Sequence, residues 1–163
     1  MKDHVYSFAA PLLKQEKGFP VMHYVPIPMG IADELWEAGV RRVECTMNGR
    51  EYRRAIKGRK DGERHMLVSK AMMKQMNVDY GETVIVELWP DADPDRVELC
   101  EELVEVLKQD KEAGERFYGM TPGRQRGFNL HVSSSKRSEN RIKRALDIAY
   151  KLRTYTLYDD RTP

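Results

Sequence analysis

Cysteine is scarce in this 163-residue chain, with Cys45 and Cys100 its only two. They stand far apart and in no metal-ligand spacing. That argues against a disulfide framework and for two reduced thiols packed as small hydrophobes. The four histidines, His4, His23, His65 and His131, are scattered, so no metal site is expected. No apolar run approaches the ~20 residues that a membrane span needs, and no membrane insertion is expected. No apolar run follows Met1-Lys2-Asp3-His4, so no signal peptide is expected and the location is read as cytoplasmic. A phosphate loop, a dinucleotide fingerprint and a serine nucleophile elbow are all missing, and no cofactor is expected.

What the chain does carry is charge. Charged residues make up 33% of it, hydrophobic ones 40%, and the net charge is +2. That small net value hides a division. Residues 1–81 hold 14 basic and 10 acidic groups, residues 82–116 hold 4 and 12, and residues 117–163 hold 10 and 4. The middle is acidic and the end is basic.

Val5 to Leu13 alternates Tyr6, Phe8, Ala10 and Leu12 on one face, and Pro11 places the end of this strand at a sheet edge. Glu16-Lys17-Gly18 reads as a turn and Val21–Val25 as a second strand. A short helix follows over Ile31–Ala38, stopped by Gly39. Asn48-Gly49 between two alternating runs is a type I′ hairpin signal. It fixes the register: Met47 faces Arg50, Cys45 faces Tyr52, Val43 faces Arg54 and Arg41 faces Ile56. Met47, Cys45, Tyr52, Val43 and Ile56 then point inward, and Arg41 and Arg54 share that inward face away from the turn. Gly58–Arg64 is a charged loop. Met66–Ser69 reads as a strand, Lys70–Met76 as a short helix, Asp79-Tyr80-Gly81 as a corner and Glu82–Trp89 as a strand.

Asp91-Ala92-Asp93-Pro94-Asp95 is a polar break, which puts the domain boundary after residue 93. Beyond it, Val97–Lys108 reads as a helix with Leu99, Leu103 and Leu107 inward. A second helix runs through Glu112–Phe117. Thr121-Pro122 caps a third that reaches about Val132. Ser133-Ser134-Ser135 breaks it, and a last helix from Ser138 to Arg153 sets Ile142, Ala145, Ala149 and Leu152 on one stripe. The expected class is α+β: a six-stranded, mainly-β barrel over residues 1–93, then a small helical module over residues 94–163.

The stretch MLVSKAMMKQMNVDYGETVIVELW resembles the repeating unit of the double-split β-barrel of AbrB/MazE-like proteins. With VECTMNGREYRRAI it is similar to a bacterial domain of unknown function over residues 5–90. DPDRVELCEELVEVL, FYGMTPGRQRGFNLHV and SKRSENRIKRALDIAYKL resemble the YdeI/OmpD-associated, bacteriocin-protection family over residues 94–153. His131 stands where that family tends to have Trp, and Glu139-Asn140-Arg141 where it tends to have Glu-Thr-Arg. The resemblance implies a protective role and supplies no catalytic residues.

Two sets of residues carry the functional readings. Arg41 and Arg54 on the inward barrel face must pair, reach solvent or hold a small anion. Arg137, Arg141, Arg144 and Lys151 line one face of the last helix, with Arg124 and Arg126 nearby in sequence. They suit nucleic acid, an acidic protein partner, or the acidic helix of residues 98–105 in the same chain. The carboxylates from Asp91 to Glu102 read as a solvated surface rather than an acid–base pair. The leading reading is a non-enzymatic binding or stress-protection protein, acting as a monomer or homodimer. Nucleic-acid binding through the basic helix is the alternative, and a small-anion site or enzyme at Arg41 and Arg54 is the third.

Overall fold

The computed structural model describes residues 4–15, 21–59 and 61–161. The expected turn at Glu16-Lys17-Gly18 lies outside them. The chain divides into two compact units, Met1–Pro94 and Asp95–Pro163.

The first unit holds two four-stranded antiparallel sheets. One has the order β1 (Tyr6–Pro11), β8 (Thr83–Pro90), β4 (Arg42–Met47), β5 (Arg50–Ala55). The other runs β2 (Leu13–Lys14), β3 (His23–Pro26), β7 (Arg64–Val68), β6 (Lys57–Gly58). A six-stranded barrel was expected. The described residues instead carry eight strands, and neither sheet closes on itself. The count rises because two long strands bend from one sheet into the other, β1 into β2 at Leu12 and β5 into β6 at Ile56. Both corner side chains are buried. Leu12 donates its N–H to the Glu82 carbonyl at 2.8 Å and its own carbonyl accepts from the Gly81 N–H at 2.8 Å. The Ile56 N–H donates to the Arg41 carbonyl at 2.9 Å. Such bends let one chain wrap two faces of a single core.

That core follows from period-2 alternation. Val84, Val86 and Leu88 of β8, with Val43, Cys45 and Met47 of β4, point inward and are fully or nearly fully buried. Each large apolar side chain so buried contributes about 1.5–3 kcal/mol. Asn48 and Gly49 have φ of 49° and 81°, and the register is the one the turn implies, from Met47 opposite Arg50 to Val43 opposite Arg54. Asn48 also accepts the Ile85 N–H on its side-chain oxygen at 2.8 Å, so the turn residue extends β4's pairing with β8.

Helix α1 (Met29–Glu37) and helix α2 (Lys70–Met76) pack on this core through Ala32, Leu35, Met72 and Met76. Ser69 caps α2 by accepting the Met72 N–H at 3.1 Å. Gly81, at φ 87°, makes the corner into β8.

The second unit is helical: α3 (Glu101–Gln109), α4 (Lys111–Tyr118), α5 (Pro122–Ser133) and α6 (Ser138–Thr154), then a 3₁₀ turn over Tyr158–Arg161. Leu103, Leu107, Phe117, Val132, Ile148 and Leu152 are the heart of its core. Helix α3 starts four residues later than the apolar pattern suggested. Cys100 is extended, and its N–H donates to the Asn129 side-chain oxygen of α5 at 2.8 Å, so a tertiary contact sets the start. Asp110 ends α3 and caps α4, accepting the Ala113 N–H at 3.2 Å. Thr121 caps α5 as expected, accepting the Arg124 N–H at 3.3 Å. On α6 the buried stripe is Ala145, Ile148, Ala149 and Leu152. Ile142, expected inward, is 43% exposed. Among the described residues no helix is long and apolar enough to cross a membrane.

Candidate functional site

Helices α3 and α6 lie side by side and run in the same direction, as their end contacts show. Near the start of both, Glu102 accepts from Arg141 Nε at 2.7 Å and from Ser138 Oγ at 3.2 Å. Near the end of both, Arg153 pairs with Asp110. Between these pairs lies a groove of about 820 Å³. Val104, Val106, Ile142, Leu146 and Ala149 give it an apolar lining, and Glu101, Glu105 and Gln109 flank it. Val104 is 40% and Leu146 54% exposed, so apolar surface is left open to water here. The hydrogen bond from Arg141 leads the causes that hold the Glu102 carboxyl below its ordinary range, so it is charged at neutral pH. Glu101 and Glu105 are exposed, and Gln109 Nε2 donates to Glu105 at 2.7 Å. An apolar trough with carboxylates along it can recognise a partner with the opposite pattern.

The basic residues of α6 do not act together. Arg141 turns toward α3, as above, and also donates to the carbonyls of Ser135 and Lys136, each at 2.9 Å. Arg144 donates to the His131 carbonyl at 2.8 Å and to Ser134 Oγ at 3.0 Å. Lys151 pairs with Asp147 at 2.9 Å. Arg137 is exposed at the N-cap of α6. Nearby, Arg124 pairs with Asp159 at 3.0 Å, and Arg126 donates to the Arg96 carbonyl at 3.2 Å. The pairing with the acidic helix is made by Arg141 alone of the four.

In the first unit, Arg41 and Arg54 occupy different surroundings. Arg41 is exposed rather than inward, because β4 begins only at Arg42 and the strand alternation does not reach it. Its guanidinium lies 3.4 Å from the Trp36 ring centroid and donates to the carbonyls of Trp36 and Val40 at 3.0 and 3.2 Å. Arg64 stacks on the same ring at 3.5 Å. Two guanidiniums this close to one centroid cannot share a face, so the indole is sandwiched between them. Arg54 is half-buried and donates to the carbonyls of Arg53 at 3.0 Å and Leu67 at 3.3 Å. Burial pushes its pKa down, opposed by the neighbouring Cys45 and Tyr52. Among the described residues no group of three His, Cys, Asp or Glu side chains could hold a metal ion.

Residues 96–154 match the family described as bacteriocin-protection, YdeI or OmpD-associated, and residues 8–88 match the domain of unknown function DUF1905. The chain joins a DUF1905 domain to a YdeI/OmpD-associated module. Comparison with curated proteins gives no match. The YdeI/OmpD-associated match takes in α3 to α6, so the whole groove lies inside that module. The DUF1905 match takes in the Trp36 sandwich and the corners of both bent strands at Leu12 and Ile56. In the module, His131 and Asn140 are both exposed.

Sequence reasoning missed the groove. One signal was available: Ile142, Leu146 and Tyr150 recur every fourth residue on α6 and form an apolar line beside the buried one. The Trp36 sandwich had no comparable signal, because Arg64 reaches it from a distant strand.

Proposed function

We propose that the chain works by binding rather than by catalysis, as a cytoplasmic bacterial protein with a protective role of the bacteriocin-protection type. The observation that carries this reading is the contrast within the YdeI/OmpD-associated module. Six of the charged side chains are committed to internal pairs, Arg141 with Glu102, Lys151 with Asp147 and Arg153 with Asp110, while apolar side chains stay open in the groove. Recognition uses open apolar surface, whereas acid–base chemistry needs titratable groups brought together with shifted pKa values. The two bent strands of the DUF1905 domain support reading it as a variant of the double-split β-barrel, serving as a scaffold.

Survival of a bacteriocin-sensitive strain tests the role. Cells making the wild-type chain should survive challenge better than cells without it, and cells making Leu146→Asp at equal level should lose that advantage. Equal survival in all three would refute the reading. The nucleic-acid alternative rests on Arg137, Arg141, Arg144 and Lys151 facing duplex phosphates. Four such contacts give a slope of about −3.6 for log affinity against log salt. The internal partners of three of these residues favour negligible binding at physiological salt. Titrating a fluorescent duplex at two salt concentrations separates the two. A small anion at Arg41 and Arg54 is the weakest reading, since each guanidinium is already held by backbone carbonyls.

A further inference from the structure

We infer that the α3–α6 groove receives one amphipathic helix with lysine or arginine along its flanks, presented by a protein partner. This rests on the binding reading above and names the class of partner. Three observations on the groove carry it.

The first is shape. Ile142 and Leu146 lie one turn apart on α6 and Val104 faces them from α3; Tyr150, outside the groove, extends their line along α6 and is 55% exposed. From Ile142 to Tyr150 the line runs about 12 Å. That length suits apolar anchors spaced i, i+4, i+8 on a partner helix. The second is charge. Glu102 and Asp110 are already paired at the two ends, whereas Glu101 and Glu105, one turn apart and exposed, have no basic partner among the described residues. Two carboxylates without a cation, beside an apolar lining, call for cations flanking an apolar face.

The third is what the same charges reject. A nucleic-acid backbone would bring phosphates against Glu101 and Glu105. A second copy docked groove to groove by a two-fold axis would bring a second set of the same carboxylates to the interface. Both arrangements place like charges together at an interface, which disfavours them.

The test uses the full chain and a synthetic library of helical peptides of about 14 residues. Leucine is fixed at i, i+4 and i+8, and the flanking positions vary among Lys, Glu and Ala. The wild-type chain should retain peptides of net positive charge, with retention falling as salt rises. Leu146→Asp should cut retention by about tenfold or more. Glu101→Lys with Glu105→Lys should reverse the preferred charge. All three substituted residues are exposed, and far-ultraviolet circular dichroism checks that the helices persist. A retained set that is neutral or acidic, an empty one, or one indifferent to Leu146→Asp would overturn the inference. So would a concentration-dependent doubling of mass that Leu146→Asp abolishes, which would assign the groove to a second copy. If the library fails while bacterial survival still depends on Leu146, only the basic-helix partner falls. If survival is also indifferent, the binding reading falls with it.

Discussion

Gly114→Ala should destabilise the helical module, although alanine is the better helix former. Gly114 lies in the second residue pair of α4, just past the α3–α4 corner at Asp110. In an open helix interior the change would gain about 0.8–1 kcal/mol. Here a β-carbon would stand 2.7 Å from the Leu107 carbonyl oxygen, against the 3.4 Å at which ordinary contact begins. The shortfall of about 0.7 Å must come from moving α4 away from α3, because the obstructing atom is backbone and cannot rotate aside. Overpacking of this kind costs about 1–3 kcal/mol. Subtracting the propensity gain leaves a net loss of about 0–2 kcal/mol, and about 1–3 kcal/mol relative to an unobstructed glycine-to-alanine change. Each kcal/mol lowers the melting temperature by about 4–8 °C for a domain of this size. Gly127→Ala is the matched control, because Gly127 lies within α5 and its β-carbon would meet nothing within 4 Å. That change should stabilise by up to about 1 kcal/mol. Urea unfolding followed by far-ultraviolet circular dichroism measures both. A Gly114→Ala variant as stable as Gly127→Ala would show that the corner does not need the close approach.

Three more outcomes follow from the first unit. His65 is 3% exposed with no partner for its Nδ1, and burial leads the causes that push its pKa below the ordinary value, with Arg59 and Lys57 adding to it and Glu63 opposing. The unfolded chain therefore takes up the proton first as pH falls. Stability should be fully present above about pH 6.5 and decline from there toward the lowered folded value. His65→Leu should flatten the urea midpoint between about pH 7 and about pH 5, and an unchanged slope would rule His65 out as its source. Cys45 is 1% exposed and its thiol is pushed up to about 12 by burial. Iodoacetamide at neutral pH should modify the half-buried Cys100 first and reach Cys45 only in denaturant, as peptide mass spectrometry would read. Arg64→Ala removes one face of the Trp36 sandwich and should cost about 0.5–2 kcal/mol in urea unfolding; a change within error would mean the stack adds no stability.

Sequence by itself determined the features whose physics is local. Asn48-Gly49 needs two residues at positive φ, and that requirement set the whole β4–β5 register before any tertiary contact entered. The alternation of Val84, Val86 and Leu88 fixed the buried face of β8, because a slip of one residue would turn all three to water. Thr121-Pro122 started α5 through a side-chain oxygen three residues from its partner N–H. Tertiary structure decided what local pattern left open. On α6, Ile142, Ala145, Leu146, Ile148, Ala149 and Leu152 cover an arc wider than one helix neighbour can bury, so packing had to choose among them. The contacts of α3, α4 and α5 buried the line through Ala145, Ile148 and Leu152 and left Ile142 and Leu146 open, which made the groove. The start of α3 depended on Asn129, the place of Arg41 on Trp36, and the two strand bends on corners at Leu12 and Ile56 that fill a core shared by two sheets. In each case the deciding partner comes from another element of the fold, beyond the reach of helix or strand periodicity.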